Sequence, residues 1–150
     1  MKGTFLLSAP PRDAQGEVTW HDHPGIQSES ILLRGVPQDY VIEKGGGPRI
    51  SSMLYQGSSL GNRSMSVDLG QLIEKRGIPA NEYIKSKPWI GIVGWSAKQV
   101  RQMEFQVGYD PLPENVFHGA VWGEFRRAQK KQLAASASWI VNARGVSLVG

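Results

Sequence analysis

The clearest fold signal in the sequence is the stretch WIGIVGWSAKQVRQMEFQVGY, residues Trp89–Tyr109. It opens with an apolar run typical of a buried strand. Ser96 and Gln99 follow with the spacing of a capping box, which predicts a helix that continues to about Met103. The apolar residues beyond that helix alternate along the chain and predict another strand: Phe105, Val107 and Tyr109. The stretch therefore predicts a strand–helix–strand unit.

The first half of the chain adds short strand candidates, separated by many of its 18 glycines and 9 prolines. These candidates are Ser30–Val36, Tyr40–Ile42, Ile50–Tyr55 and Ser64–Val67. Asp68 is placed to cap a helix through Leu72 and Ile73 to Arg76, which Gly77 would end.

The second half adds a strand at His118–Trp122 and a long helix from about Glu124 to Ala143, ended by Gly145. The tail Val146–Val149 would add an edge strand. Strands that dominate the first half, with helices inserted later, favour an α+β fold. We expect a single compact domain over residues 1–150, whose mixed or antiparallel sheet is covered by one short helix and one long C-terminal helix.

Composition excludes several classes of function. The 150 residues contain no cysteine, so disulfides, thiolate nucleophiles and cysteine metal sites are excluded. The apolar run Phe5–Leu7 is too short for a secretory signal, and no run approaches the ~20 residues of a membrane helix. A cytoplasmic protein with no membrane partner is expected. The only histidines are His21, His23 and His118, so we predict no metal site and no cofactor, and a polar surface turn at His21–His23.

Positive charge is concentrated in the second half of the chain. Residues 1–75 carry 7 basic and 8 acidic side chains, whereas residues 76–150 carry 10 basic and 5 acidic ones. Four cations fall on one side of the predicted C-terminal helix: Arg126, Arg127, Lys130 and Lys131. Such a face favours a small binding module that contacts nucleic acid or an acidic protein. The alternative is a solvated helix face without a partner.

A second hypothesis is a small transferase or hydrolase that acts on a phosphate-bearing substrate. Arg34 interrupts an apolar run, so it either binds an anion or pairs with an internal carboxylate. Asp110 could orient His118 for acid–base work, although an Asp-Pro turn and a packed histidine would explain the same residues. Ser66 would line the same site. This hypothesis requires that all four side chains converge on one cleft.

Arg34 on an early strand, followed by Ser64-Met65-Ser66 near the next long strand, is similar to the arginine and serine elements of the ADP-ribosyltransferases. The resemblance implies that Arg34 would hold the phosphates of a dinucleotide. In that family a late glutamate directs the transfer, and Glu124 would be its counterpart here.

Overall fold

The structure is a computed structural model and describes residues 6–43, 45–57 and 64–148. The strands in this part of the chain are, in order, β1 (Ile31–Val36), β2 (Val41–Glu43), β3 (Pro48–Ile50), β4 (Ser64–Leu69), β5 (Gly91–Ser96), β6 (Gln106–Tyr109), β7 (His118–Trp122) and β8 (Ser138–Val141). Six of them form a sheet with the order β6-β7-β4-β1-β5-β8, and β2 pairs with β3. All neighbouring strands are antiparallel.

The helices of the described residues are α1 (Gly70–Lys75), α2 (Ala80–Tyr83), α3 (Ala97–Gln102) and α4 (Arg127–Ser136). Short 3₁₀ turns occupy Gln38–Tyr40, Ser52–Tyr55 and Ile84–Ser86. None of the described helices is long and apolar enough to cross a bilayer.

Both faces of the sheet are packed. The larger core includes Leu54, Val100 and Leu133, so it lies between the sheet, α3, α4 and the turn at Ser52–Tyr55. The smaller core joins Ile73 of α1 and Tyr83 of α2 to the opposite face. This arrangement confirms the predicted α+β class. The sheet was predicted to be mixed or antiparallel, and it is antiparallel.

The predicted unit at Trp89–Tyr109 is confirmed in outline. β5 begins at Gly91, and α3 follows it directly. The Ser96 side chain accepts a hydrogen bond from the Gln99 backbone, and the Gln99 side chain accepts one from the Ser96 backbone. The capping box fixes this boundary because its partners are only three residues apart.

Four predicted elements differ from the structure in extent or type. The long helix from Glu124 to Ala143 is only α4, because Ala137 is extended and the residues after it pair with β5 as β8. The strand Ile50–Tyr55 ends at Ile50, because the Ser51 side chain accepts a hydrogen bond from Met53 N and starts a 3₁₀ turn.

Asp68 does not cap a helix. It lies inside β4, and Leu69 is the residue before α1. The predicted tail strand is reduced to one parallel bridge between Ser147 and Arg49, and its last residue, 149, lies outside the described residues.

The central strands separate after a short pairing. β1 pairs with β4 only at Leu32↔Leu69 and Leu33↔Asp68. Each strand remains paired on its other side, β1 with β5 up to Val36 and β4 with β7 back to Ser64. The two strands therefore leave a gap between them, which we call the seam.

Candidate functional site: a cleft at the seam

A cleft of about 300 Å³ opens at the seam. It is lined by side chains from β1, β4 and β7 and from the segments next to them. Its polar lining residues include Arg34, Tyr40, Ser66, Asp68, Asn115 and His118. A volume of this size lies at the lower end of the range for small-molecule sites.

Arg34 bridges the seam. Its Nε donates to Leu54 O at 3.0 Å and its Nη1 donates to Ser66 O at 2.8 Å. No carboxylate within the described ranges forms an ion pair with this guanidinium. Burial lowers the pKa of Arg34, and the nearby Tyr40 and Tyr55 act in the opposite direction. Since arginine stays protonated in proteins, the cleft contains a positive charge that pairs directly with no carboxylate of the described residues.

His118 is oriented by Asp110. Its Nδ1 lies 2.8 Å from the Asp110 carbonyl oxygen and 3.3 Å from Asp110 Oδ2. Both partners are acceptors, so Nδ1 carries the proton and donates. Within the described residues Nε2 has no hydrogen-bond partner. The ring therefore has one nitrogen fixed by Asp110 and one available to a ligand.

Opposing effects act on the pKa of His118. Burial favours the neutral ring and would lower the pKa. The hydrogen bonds to Asp110, together with the charges of Asp110 and Asp68, outweigh burial and raise the pKa above its usual value of 6.5. A histidine that is oriented by a carboxylate in this way is suited to acid–base chemistry.

Asn115 and Asp68 are cleft residues that were not predicted as site residues, and Asp68 is the more deeply buried. Its side chain is only 5% exposed and lines the cleft. Tyr83 Oη donates to Asp68 Oδ2 at 2.6 Å, and Asn115 Nδ2 donates to Asp68 Oδ1 at 2.8 Å. Burial and then the hydrogen bond and charge of Asp68 raise the pKa of Tyr83, so the phenol stays a donor. The signal in the sequence was a charged residue between two apolar ones at the end of the strand, Val67-Asp68-Leu69.

The strand register explains how the cleft collects these residues. Asp68 is opposite both Leu33 and His118, so all three share one face of the sheet. Arg34 is one residue beyond Leu33 and leaves β1 on the other face. Arg34 and His118 nevertheless both line the cleft, which lies where β1 and β4 separate.

Of the other residues predicted for this site, only Ser66 lines the cleft. Ser66 is exposed, whereas Asp110 does not line the cleft and contacts His118, so three of the four side chains expected in one cleft lie there. Glu124 follows β7 at the end remote from His118 and does not line the cleft. The catalytic glutamate implied by the ADP-ribosyltransferase resemblance is therefore not supplied to this cleft by Glu124.

The four predicted cations lie at the start of α4. Arg126 is the residue before the helix, and Arg127, Lys130 and Lys131 lie on one side of it at spacings of three and four residues. Lys130 is half-buried and the other three are exposed. In the described ranges none of the four forms an ion pair with a carboxylate. We call this set the basic face.

His21 and His23 do not form the predicted surface turn, because His23 is only 3% exposed. Tyr109 N donates to His21 Nε2 at 3.1 Å, and His23 N donates to Val107 O at 2.8 Å. The segment therefore covers the outer edge of β6. Among residues 6–43, 45–57 and 64–148, no group of three His, Asp or Glu side chains is arranged to hold a metal ion.

No protein-family model, curated protein or solved structure gives a significant match to this chain.

Proposed function

We propose that the cleft binds a phosphate-bearing small molecule and that the protein is a small cytoplasmic transferase or hydrolase acting on it. One observation carries the proposal. A guanidinium without a carboxylate partner in the described residues lines the same cleft as an imidazole that Asp110 orients. Arginine binds phosphate through parallel N–H donors, and an oriented histidine moves protons.

The role of each residue in this reaction is assigned from the hydrogen-bonding atoms that it can offer to the substrate. Arg34 binds the phosphate oxygens, and Asp110 keeps the proton of His118 on Nδ1. His118 Nε2 accepts a proton from a water or hydroxyl group as its oxygen bonds to phosphorus. The bond from phosphorus to the leaving oxygen then breaks, and that oxygen takes the proton from Nε2. General acid–base catalysis of this kind typically contributes about 100- to 10,000-fold.

Binding of n-propyl phosphate, followed by calorimetry, tests the proposal. We expect Arg34→Met to weaken the affinity by about 10- to 100-fold, since a hydrogen bond to a charged group contributes about 1.5–3 kcal/mol. Lys130→Met, on the basic face, is the matched control and should leave the affinity unchanged. Arg34→Met protein that is folded and binds as tightly as the wild type would exclude this role for the cleft.

A second candidate function uses the basic face. We propose that it binds the phosphate backbone of nucleic acid. Three of its four cations are exposed, and none pairs with a carboxylate in the described part of the chain. Cations at a helix N-terminus are also unfavourable to the helix dipole, so a bound anion would relieve a local cost.

Salt dependence distinguishes this function from the first. Affinity for duplex and single-stranded DNA should fall steeply between about 50 mM and about 200 mM salt. Arg127→Gln and Lys131→Gln should each reduce the slope of log affinity against log salt by about 1, whereas Arg34→Met should not. Absence of binding at the lower salt concentration would rule the second candidate out, and binding to an acidic peptide alone would favour a protein partner.

A further inference from the structure

The position of Asp68 is not explained by phosphate binding. The register places it opposite Leu33, the neighbour of Arg34, on one side and opposite His118 on the other. Adjacent strands are about 4.8 Å apart. The carboxylate therefore lies between the strand that carries the guanidinium and the strand that carries the imidazole.

The Asp68 carboxylate retains unused acceptor capacity. Ionised carboxylates offer about four lone-pair sites. Tyr83 uses one site on Oδ2 and Asn115 uses one site on Oδ1. No ion pair to Asp68 is formed within the described residues, and the side chain lines the cleft. One site on each oxygen remains for a ligand.

The ligand group that meets Asp68 must be a donor. A phosphate oxygen would be repelled by the carboxylate, whereas a hydroxyl group donates to it without adding charge. An ammonium group is disfavoured by Arg34, which already provides a positive charge in the same cleft. Asp68 and His118 share one face of the sheet and Arg34 leaves β1 on the other, so a ligand with a phosphate and a separate hydroxyl group can span the seam and meet both Arg34 and Asp68.

We therefore infer, on the basis of the proposed function, that the substrate is a phosphate monoester of a polyol. Its phosphate binds Arg34, and a hydroxyl group of the same molecule donates to Asp68. Asp68 is thus a specificity residue, which selects hydroxylated phosphate esters over plain alkyl phosphates.

The test compares glycerol 3-phosphate with n-propyl phosphate, which have the same carbon chain and differ in two hydroxyl groups. Calorimetry of the wild-type protein should show glycerol 3-phosphate binding about 10- to 100-fold more tightly. The preference should disappear in Asp68→Asn, whose carboxamide can still accept from Asn115 and donate to the Tyr83 oxygen. Asp39→Asn, an exposed change in the turn Gln38–Tyr40, should retain the preference.

The possible outcomes distinguish failure of the proposed function from failure of the role of Asp68. If neither ester binds, the proposed function fails. If both bind the wild type equally and Arg34→Met weakens both, the proposed function holds and the role of Asp68 is overturned. The wild-type comparison decides this even if Asp68→Asn does not fold, and a preference retained by folded Asp68→Asn would also overturn the role.

Discussion

Replacing Trp95 with alanine is expected to lower the free energy of unfolding by about 3–5 kcal/mol. Trp95 is only 1% exposed in the larger core. Its Nε1 donates to Leu133 O at 2.9 Å, and its ring meets Tyr55 edge-on at a centroid distance of 6.0 Å. The substitution removes a large buried ring and one of the two donors to Leu133 O, which also accepts from Ala137 N at 3.0 Å, so both losses act in the same direction.

Chemical denaturation followed by circular dichroism measures this loss. Trp95→Phe is the matched control, because it keeps an aromatic ring but cannot donate to Leu133 O. We expect the phenylalanine variant to lose less, about 0.5–1.5 kcal/mol, which is the typical net contribution of one hydrogen bond, because Ala137 N still donates to Leu133 O. A loss below about 1 kcal/mol for Trp95→Ala would show that the β5–α4 contact does not hold the larger core together.

Gly35→Ala is expected to lower the free energy of unfolding by about 1–3 kcal/mol and to disturb the cleft. A Cβ atom at Gly35 would lie 2.0 Å from two ring carbons of Trp89. The indole ring lies directly on the β1 backbone and lines the cleft, so it has to move to admit a single methyl group. Because Gly35 and Arg34 are adjacent, affinity for n-propyl phosphate should fall as well.

Gly46→Ala is the control for this substitution. A Cβ atom there would meet nothing within 4 Å. Replacement of an unhindered glycine changes stability little or increases it by about 0.4–1 kcal/mol. If Gly35→Ala and Gly46→Ala have equal stability and equal affinity, then the close approach of Trp89 to β1 does not shape the cleft.

Elements that depend on neighbouring residues could be predicted from the sequence, whereas elements that depend on contacts between distant residues could not. The capping box at Ser96 and Gln99 is complete within four residues, so the sequence predicts α3 correctly. β8 is different, because Trp139 becomes extended by pairing with Val93 of β5, far away in the chain. The prediction of one long helix extended α4 through this alanine-containing segment, because the sequence does not reveal the pairing with β5.

The same distinction between local and distant contacts explains which residues of the candidate site could be predicted from the sequence. Arg34 is conspicuous because a charge interrupts an apolar run, and His118 because Asp110 is nearby in sequence. Asp68 looked like a helix cap because glycine and leucine follow it. Its true partners, Tyr83 and Asn115, are 15 and 47 residues away. The gap between β1 and β4, which brings these residues into one cleft, has no local sequence signal.

Nuclear magnetic resonance titration of the His118 imidazole tests the central claim most directly. In the free protein its pKa should lie above 6.5, because Asp110 and Asp68 stabilise the protonated ring. A bound dianion beside the ring also favours protonation. Saturating n-propyl phosphate should therefore raise the pKa of His118 further in the wild type and not in Arg34→Met. An unchanged pKa in wild-type protein saturated with the ester would contradict a phosphate site shared by Arg34 and His118.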